Sequence, residues 1–330
     1  MKETLKFLLA GNSLTELEAF EIMKGIGHGQ YSPVQITAFI THFWYKPITT
    51  QELSGFRKAL LELAVSLNLD ASNAIDLCGT GGDGKNTFNI STLTAVVVAG
   101  AGYKVAKHGN YGVTSVSGSS NVLEQLGYTF STNSNILAQQ LSVCNLTFIH
   151  APLFHPALKE VGGIRKNLGI KTFFNMLGPL VNPAQPRYQM VGVYNLQVAR
   201  QYQYLFQQSD KQYTIVHSLD GYDEITLTDD TRIISNSFDG IKTPQDLLCK
   251  ISLKAADLHG GETLEAAADI FKMVLSGKGS DAQNTAVLTN AALAINTFDT
   301  AKKLEDCLLE AKESLLSGNA ESNFNTLING

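Results

Sequence analysis

The first part of the chain, about 70 residues, shows only helical spacing of apolar and polar positions. Ser13 and Glu16 have the spacing of a capping box, and Thr49 and Glu52 repeat it. Between them, Ser32–Pro33 places a capping serine before a proline at the first helical position. An apolar-periodic run follows each signal, so the pattern predicts three helices that begin after these caps.

From residue 73 the pattern changes to short β-like runs that alternate with helical stretches, which is typical of βαβ units. Candidate strands cover residues 74–77, 103–106, 146–149, 189–194 and 213–217, and a hairpin is expected over 224–235. Candidate helices cover 92–100, 119–126, 133–143, 156–168, 196–207, 262–275, 281–296 and 300–316. The expected fold is α/β: a small helical domain over 1–70, completed by a later segment, packed on an α/β domain over 71–330 with a mostly parallel sheet and flanking helices.

Composition narrows the class of protein. With 44% hydrophobic and 17% charged residues, the chain of 330 residues is an ordinary globular one. Its net charge of −5 argues against duplex DNA or an anionic membrane as a partner, because both require a basic face. A small phosphate ligand requires only a local cationic pocket, which this charge balance permits.

The cysteines and the apolar runs indicate where the protein resides. Cys78, Cys144, Cys249 and Cys307 are scattered without a C-x-x-C pair, which predicts free thiols rather than zinc ligands. The apolar stretch near the N-terminus is too short for a signal peptide, and the longest apolar run, 94–102, is too short to span a membrane. We therefore expect a cytoplasmic protein.

The segment DLCGTGGDGKNTFNIST, residues 76–92, is the most informative. A strand ends, glycines let the backbone turn its N–H groups toward a ligand, and a helix begins near Ser91, so amides and helix dipole form an anion site. The alternative is a tight strand–helix turn without a ligand. The dense cluster of Thr, Asn and Ser around the glycines favours phosphate.

Two better-known phosphate motifs fit this segment incompletely. Gly79-x-Gly81-x-x-Gly84 matches the dinucleotide fingerprint, but the acidic residue expected about 20 positions later is missing. The start of a Walker loop also fits, but Asn86 stands where a Ser or Thr must hold magnesium. Asp83 would add a negative charge inside either phosphate cradle, so both nucleotide interpretations are disfavoured.

GTGGD followed by T-x-N-x-S-T resembles the phosphoribosyl pyrophosphate (PRPP) loop of anthranilate phosphoribosyltransferases. Further similar segments follow in order: KHGN at 107–110, SGSSNVLEQLG at 117–127, HPALK at 155–159, Arg165, FNMLGPLVNPA at 174–184 and DGYDE at 220–224. The resemblance implies a magnesium-dependent transfer of the phosphoribosyl group of PRPP to anthranilate, in tryptophan biosynthesis. It also implies a homodimer that associates through the helical domain.

The resemblance implies the site residues as well. The PRPP-binding set is Gly79, Gly82, Asp83, Thr87, Asn89, Ile90, Ser91, Thr92, Lys107, His108, Gly109, Asn110, Ser115 and Ser119. Anthranilate would contact Gly79, Asn110 and Arg165, and two magnesium ions would be held by Ser91, Asp223 and Glu224. No catalytic base is assigned, because an aromatic amine is already neutral and nucleophilic at neutral pH.

Each of these residues also has a plainer interpretation. Lys107 and His108 would be an exposed pair at a strand end, and Asp223–Glu224 a solvated acidic turn. Thr87, Asn89 and Ser119 would only cap helices, and Arg165 would form an ordinary surface ion pair.

Two positions depart from the family pattern, and two other functions remain open. Tyr111 stands where the family usually carries an arginine after KHGN, and Gly163 stands where a proline commonly precedes the anthranilate-binding arginine. A pyrimidine nucleoside phosphorylase would not need the acidic pair at 223–224. A nucleic-acid-binding relative of the family should be basic, whereas this chain carries a net charge of −5.

Overall fold

The computed structural model describes residues 1–112 and 118–329. The helices in this part of the chain are α1 (Lys2–Leu9), α2 (Glu16–Gly27), α3 (Pro33–Tyr45), α4 (Thr50–Glu62), α5 (Ile90–Gly100), α6 (Ser119–Gln125), α7 (Ser134–Val143), α8 (Ala151–Phe154), α9 (Lys159–Leu168), α10 (Leu196–Gln207), α11 (Leu264–Leu275), α12 (Asp281–Phe298), α13 (Leu304–Leu316) and α14 (Asn319–Asn329). The strands are β1 (Ala74–Leu77), β2 (Lys104–Gly109), β3 (Leu146–His150), β4 (Tyr188–Gly192), β5 (Gln212–Ser218), β6 (Thr231–Ser235) and β7 (Asp239–Lys242).

The chain divides into two compact units. The first, the helical unit, combines Met1–Leu67 with Ala151–Pro183, and the second, the α/β unit, combines Asn68–His150 with Ala184–Gly330. None of the helices in the described ranges is long and apolar enough to cross a membrane.

Aromatic packing explains why the later segment belongs to the helical unit. Phe173 stacks on Phe56 of α4 with ring centroids 4.9 Å apart, and it meets Phe43 of α3 edge-on at 5.1 Å. Phe39 completes the cluster, and Phe39, Phe56 and Phe173 are all buried. Aromatic pairs of this kind add to the stabilisation that burial itself gives.

The caps of the helical unit correct one prediction. Thr49 with Glu52 forms the predicted capping box that opens α4, and Ser32 is the predicted N-cap of α3, where Gln35 completes a box that was not predicted. The predicted box at Ser13 is wrong, because α2 is capped two residues later by Thr15, whose hydroxyl accepts from the Glu18 amide at 3.3 Å. Thr15 and Glu18 have the same spacing as Ser13 and Glu16, so local sequence alone did not separate the two.

The α/β unit is built on a seven-stranded sheet in the described chain, in the order β3-β2-β1-β4-β5-β6-β7. The pairs from β3 to β5 are parallel, and the last two pairs are antiparallel. The predicted hairpin over 224–235 is misplaced, since β6 begins at Thr231 and pairs with β7, while residues 219–230 form an irregular connection after β5.

Helices cover this sheet and bury its apolar core. Helix α5 is buried along almost its whole length and packs against α12, α13 and α14. This burial explains its mostly apolar sequence, in which Ser91, Thr92 and Thr94 are the polar residues, since a helix that is hydrophobic on nearly all sides belongs in a core. The C-terminal helix α14 was not predicted, and α13 begins at Leu304 rather than at residue 300.

Candidate active site

The glycine-rich loop follows β1 at the point where the strand order reverses, between β1 and β4. Ligands of open α/β sheets bind at such a switch point, outside the carboxyl ends of the strands. Gly81, Gly82 and Gly84 have positive φ angles of 64°, 72° and 76°, a conformation that favours glycine. The Thr80 amide donates to the Gly192 carbonyl at the end of β4, at 2.9 Å, which ties the loop to the switch point.

The carboxylate of Asp223 is seated against this loop. The Gly81 amide donates to Asp223 Oδ2 at 2.6 Å. Glycine is required on both sides: a Cβ on Gly79 would lie 2.5 Å from Asp223 Oδ2, and one on Gly192 would lie 1.5 Å from the Asp223 carbonyl oxygen. The acid and the loop therefore approach each other as closely as the backbone allows.

The carboxylate of Glu224 contacts the first turn of α5. Its Oε1 accepts from the Ser91 amide at 3.0 Å, one of the first-turn amides that a helix leaves without an internal partner. Asp223 is only 8% exposed, so the acidic pair is not the solvated turn of the plainer interpretation. Burial, and then repulsion from Asp83, raises the pKa of Asp223 to about 7, and burial followed by repulsion from Asp223 raises the pKa of Glu224 well above its ordinary value. A carboxylate cluster of this kind favours a neutralising cation.

Lys107 and His108 are buried at the end of β2 and are not the exposed pair of the plainer interpretation. The Lys107 ammonium donates to the Leu77 carbonyl and lies 3.4 Å from Ser91 Oγ. This cation therefore connects the end of β1 to the start of α5, and it partly offsets the rise in the pKa of Glu224.

Asp76 is a residue to which the sequence assigned no role. It is fully buried, and its Oδ1 accepts from the His108 amide at 3.0 Å. The backbone register between β1 and β2 ends at Ile75 and Val105, so beyond this point side chains join the two strands. A carboxylate inside the apolar run AIDL was the available signal, because a buried acid requires partners.

The second half of the glycine-rich loop is fixed by a distant segment that the sequence did not indicate. Thr87 forms an isolated β-bridge with His259, and the Asn86 amide group donates to the Gly261 carbonyl at 2.9 Å. Asn86 is thus a structural residue of the loop. Asn89 precedes α5 without accepting a capping bond from the described first turn, and the side chains of Ile90 and Thr92 are buried.

The segment after β2 is held by α6. Ser119 Oγ donates to the Asn110 carbonyl at 3.2 Å, and a Cβ on Gly109 would lie 2.8 Å from that hydroxyl. The N-cap of α6 is Gly118, so the capping interpretation of Ser119 is wrong. Ser115, the remaining predicted PRPP contact, lies outside the described residues.

A cavity of about 20 Å³ lies below the loop and is large enough for one water molecule. Its polar lining includes Ser91, Thr94, Asp223, Glu224 and Asn290. Thr94 Oγ1 is buried and has no hydrogen-bond partner within the described chain. Within residues 1–112 and 118–329, no group of three or more His, Cys, Asp or Glu side chains is arranged to hold a metal ion. Two carboxylates and a hydroxyl fit magnesium, which prefers oxygen and keeps several waters.

Cys78 also lines the cavity, and its chemistry is inert. Burial, together with the charge of Asp76, raises the pKa of its thiol to about 12. The thiol therefore stays protonated at neutral pH and is not a nucleophile.

Arg165 belongs to the helical unit, on α9. Its guanidinium lies 3.5 Å from Asn175 Oδ1 and 5.4 Å from the ring centre of Phe174. No ion pair among residues 1–112 and 118–329 includes it, so the surface ion pair of the plainer interpretation is wrong. Burial lowers its pKa from the ordinary value. The neighbouring Gly163 has open space where a side chain would stand.

Comparison with known proteins identifies the family. Residues 71–321 match the model of the glycosyl transferase family a/b domain, and residues 2–64 match its helical bundle domain. The chain is 53% identical over 318 residues to the anthranilate phosphoribosyltransferase of Flavobacterium johnsoniae, covering 96% of both chains. The chain belongs to the anthranilate phosphoribosyltransferase family.

Solved structures of anthranilate phosphoribosyltransferases share the fold. The Thermus thermophilus enzyme superposes with a TM-score of 0.91 at 29% identity, covering 98% of both chains. The Saccharomyces cerevisiae enzyme in complex with PRPP and Mg has a TM-score of 0.90 at 26% identity, covering 98% of this chain and 96% of that one. These relatives favour the transferase interpretation over a nucleoside phosphorylase or a nucleic-acid-binding protein.

Tyr111, which stands where the family usually carries an arginine, makes only neutral contacts through its ring and donates its hydroxyl to a carboxylate. Its hydroxyl donates to Glu124 on α6 at 2.8 Å, and its ring meets His150 edge-on at 4.7 Å. His150 is stacked on Phe130 on its other side and bonds to Ser120 Oγ at 2.8 Å. Tyr111 therefore ties the segment after β2 to α6 without adding a positive charge.

Proposed function

We propose that this enzyme transfers the phosphoribosyl group of PRPP to the amine of anthranilate, releasing pyrophosphate. The observation that carries the proposal is the assembly at the end of β1. There, hydrogen bonds join the glycine-rich loop to Asp223 and the start of α5 to both Glu224 and the Lys107 ammonium. This combination suits a phosphorylated ligand that arrives with a divalent cation.

Departure of pyrophosphate leaves an oxocarbenium-like ribose and concentrates negative charge on the leaving group. Stabilising that charge is the main catalytic task, and preorganised amides and cations perform it without proton transfer. In this chain, Gly79, Gly82, Asp83 and Lys107 would hold the phosphate groups, together with Thr87, Asn89, Ile90, Ser91, Thr92, His108, Gly109, Asn110, Ser115 and Ser119. Magnesium, when bound, supplies further neutralisation of the leaving group.

Ser91, Asp223 and Glu224 would hold magnesium, and we propose two ions. The two acids are held apart on different amides, Asp223 on Gly81 and Glu224 on Ser91, so each can offer an oxygen to its own ion. Repulsion among Asp83, Asp223 and Glu224 supports the need for more than one positive charge.

Arg165 would bind the anthranilate carboxylate, with Gly79 and Asn110 nearer the ribose. A guanidinium matches a carboxylate at two points, and Arg165 has no acidic partner in the described chain to neutralise it. No general base is needed, because the aromatic amine is neutral at physiological pH. Catalysis then depends on positioning and on leaving-group electrostatics.

We also propose that the enzyme is a cytoplasmic homodimer that associates through its helical unit. Trp44 and Tyr45 at the end of α3 are 67% and 91% exposed, and Val34 at its start is also exposed. Large exposed apolar side chains on one element are typical of an interaction surface. All four cysteines are free, which suits a reducing compartment.

The test is a single assay with purified protein, PRPP, magnesium and anthranilate, followed by the loss of anthranilate fluorescence. Turnover should disappear in excess chelator and fall sharply when Asp223→Asn and Glu224→Gln are combined. Full activity under either condition would remove the metal from the proposal, and no turnover by the native enzyme would reject the transferase function.

A further inference from the structure

Asn290 lies in the middle of α12 and is only 3% exposed. Its side-chain amide meets the backbone of Ile225 at two points: Nδ2 donates to the Ile225 carbonyl at 2.8 Å, and Oδ1 accepts from the Ile225 amide at 3.3 Å. Nδ2 also donates to the Ala286 carbonyl, one turn earlier on the same helix, at 2.8 Å. Both the amide nitrogen and the amide oxygen of Asn290 therefore bond to main-chain groups. Through these bonds Asn290 fixes the backbone of Ile225, the residue directly after Glu224.

The opposite side of this segment is held by β5. Ser218 Oγ donates to the Glu224 carbonyl at 2.7 Å, and it accepts from the Thr226 amide at 3.3 Å. Residues 219–230 run between β5 and β6 without a strand partner of their own. Ser218 and Asn290 therefore take the place of ladder hydrogen bonds for the buried peptides after Asp223.

The carboxylates themselves are held by the glycine-rich loop and by α5. Asp223 accepts from the Gly81 amide and the Thr80 hydroxyl, and Glu224 accepts from the Ser91 amide. Asn290 also lines the small cavity together with Ser91, Asp223 and Glu224, so its bonds to Ile225 lie next to both acids. The main chain thus fixes where both carboxylates can reach.

We propose that Asn290 is a positioning residue for the metal-binding acids, and this inference rests on the proposed function. It sets the backbone from which Asp223 and Glu224 extend, and it does not itself bind a substrate. Removing a residue that orients the ligands of a metal ion without binding the ion itself typically weakens metal affinity by roughly 10- to 100-fold. Loss of the Asn290 amide should therefore weaken metal use before it weakens the fold.

The test compares Asn290→Ala and Asn290→Asp with Thr297→Val. Thr297 lies on the same helix, is equally buried, and its hydroxyl bonds to Thr214 at 2.8 Å, away from the acids. The aspartate variant retains the volume and the acceptor for the Ile225 amide but replaces the Nδ2 donor with an oxygen. Each variant is measured for melting temperature, for the magnesium concentration that gives half-maximal turnover, and for Mn²⁺ binding in the presence of pyrophosphate by EPR of the free ion.

We expect both Asn290 variants to raise the half-activating magnesium concentration at least tenfold and to weaken Mn²⁺ binding in parallel. Thr297→Val should keep the native magnesium dependence and the native Mn²⁺ binding, whatever its effect on the melting temperature. Native Mn²⁺ binding by either folded Asn290 variant, or an equal loss in Thr297→Val, would overturn the inference. If the alanine variant does not fold, Asn290→Leu, which keeps most of the volume and adds no charge beside the acids, decides by the same criterion. An inactive native enzyme would reject the proposed function, while the Mn²⁺ titrations would still decide the role of Asn290.

Discussion

Gly79 offers a perturbation whose effect can be worked out from distances. Its φ angle is not in the left-handed region, so alanine is permitted by the backbone. The added Cβ, however, would lie 2.5 Å from Asp223 Oδ2 and 3.2 Å from Asp223 Cγ. An ordinary carbon–oxygen contact requires the carboxylate to move by about 0.8 Å.

That movement has a calculable consequence for the site. The hydrogen bond from the Gly81 amide to Asp223 Oδ2, now 2.6 Å, would lengthen beyond the range of a good bond. A displacement near 1 Å in a catalytic constellation costs on the order of 100-fold in rate. We therefore expect Gly79→Ala to lower kcat/KM about 100-fold at limiting magnesium, with part of the loss recovered at high magnesium concentration.

Gly84→Ala is the matched control. Gly84 lies in the same loop with a φ of 76°, and a Cβ there meets nothing within 4 Å. Alanine at Gly84 strains the loop by about 1–2 kcal/mol but leaves Asp223 in place. The fluorescence assay for anthranilate, run across a magnesium titration, separates the two. The reasoning fails if Gly79→Ala keeps native activity, or if the two variants lose activity equally with unchanged magnesium dependence. A rise confined to the anthranilate KM at saturating magnesium would instead indicate a direct substrate contact by Gly79.

Three further predictions concern residues outside the glycine-rich loop. Arg165→Ala should raise the anthranilate KM roughly 10- to 100-fold, because that factor corresponds to the free energy of a hydrogen bond to a charged group. The affinity for PRPP, measured by calorimetry, should not change. An equal loss of affinity for both substrates together with a lower melting temperature would contradict this. Tyr111→Arg should lower the PRPP KM and keep a contact to Glu124, and an unchanged KM would mean that this position does not act on PRPP. His155, buried in the helical unit, has its pKa lowered to about 4, so the unfolded chain binds a proton that the folded chain does not. His155 therefore lowers the free energy of unfolding as pH falls from 6.5 toward 4, whereas the raised pKa of Asp223 acts in the opposite direction. Between pH 7 and 5, urea unfolding should show the free energy of unfolding of the native protein falling by about 2 kcal/mol relative to that of His155→Gln; an equal pH dependence of the two proteins would contradict this.

Features that depend on neighbouring residues in the sequence were predicted well. The strand at Ala74–Leu77, the turn with its positive-φ glycines and the helix that follows them arise from local periodicity and glycine content. The parallel direction of strands β1 to β5 follows from the alternation of strands and helices along the sequence. Where two local signals competed, as at Ser13 and Thr15, only the packed structure decided between them.

Features that depend on distant partners could not be predicted. The Ser91 amide was expected to be an anion site, and in the structure it is occupied by Glu224, which lies 133 residues away. Nothing near Glu224 in the sequence distinguishes this half-buried acid from a member of an exposed surface pair. Asn86 and His259 are likewise joined across 173 residues, and Asp76 acts through the next strand. Sequence periodicity contains no information on such pairs, because it reports only which face of an element is apolar.

The positions of Asp223 and Glu224 also explain how a glycine-rich loop suited to phosphate can lie next to several carboxylates. The main-chain N–H groups of Gly81 and Ser91 donate to the carboxylates of Asp223 and Glu224. Those bonds stabilise ionised Asp223 and Glu224, whereas burial and mutual repulsion favour the protonated forms. At Asp223, whose pKa is raised to about 7, the two effects nearly balance at neutral pH, whereas at Glu224 burial and repulsion outweigh the amide bond. A divalent cation shifts that balance toward the carboxylates, because it adds positive charge where the amides alone do not compensate the burial. The acids, the amides and the cation are thus parts of one electrostatic unit, and removing any one of them should change the affinity of the others for charge.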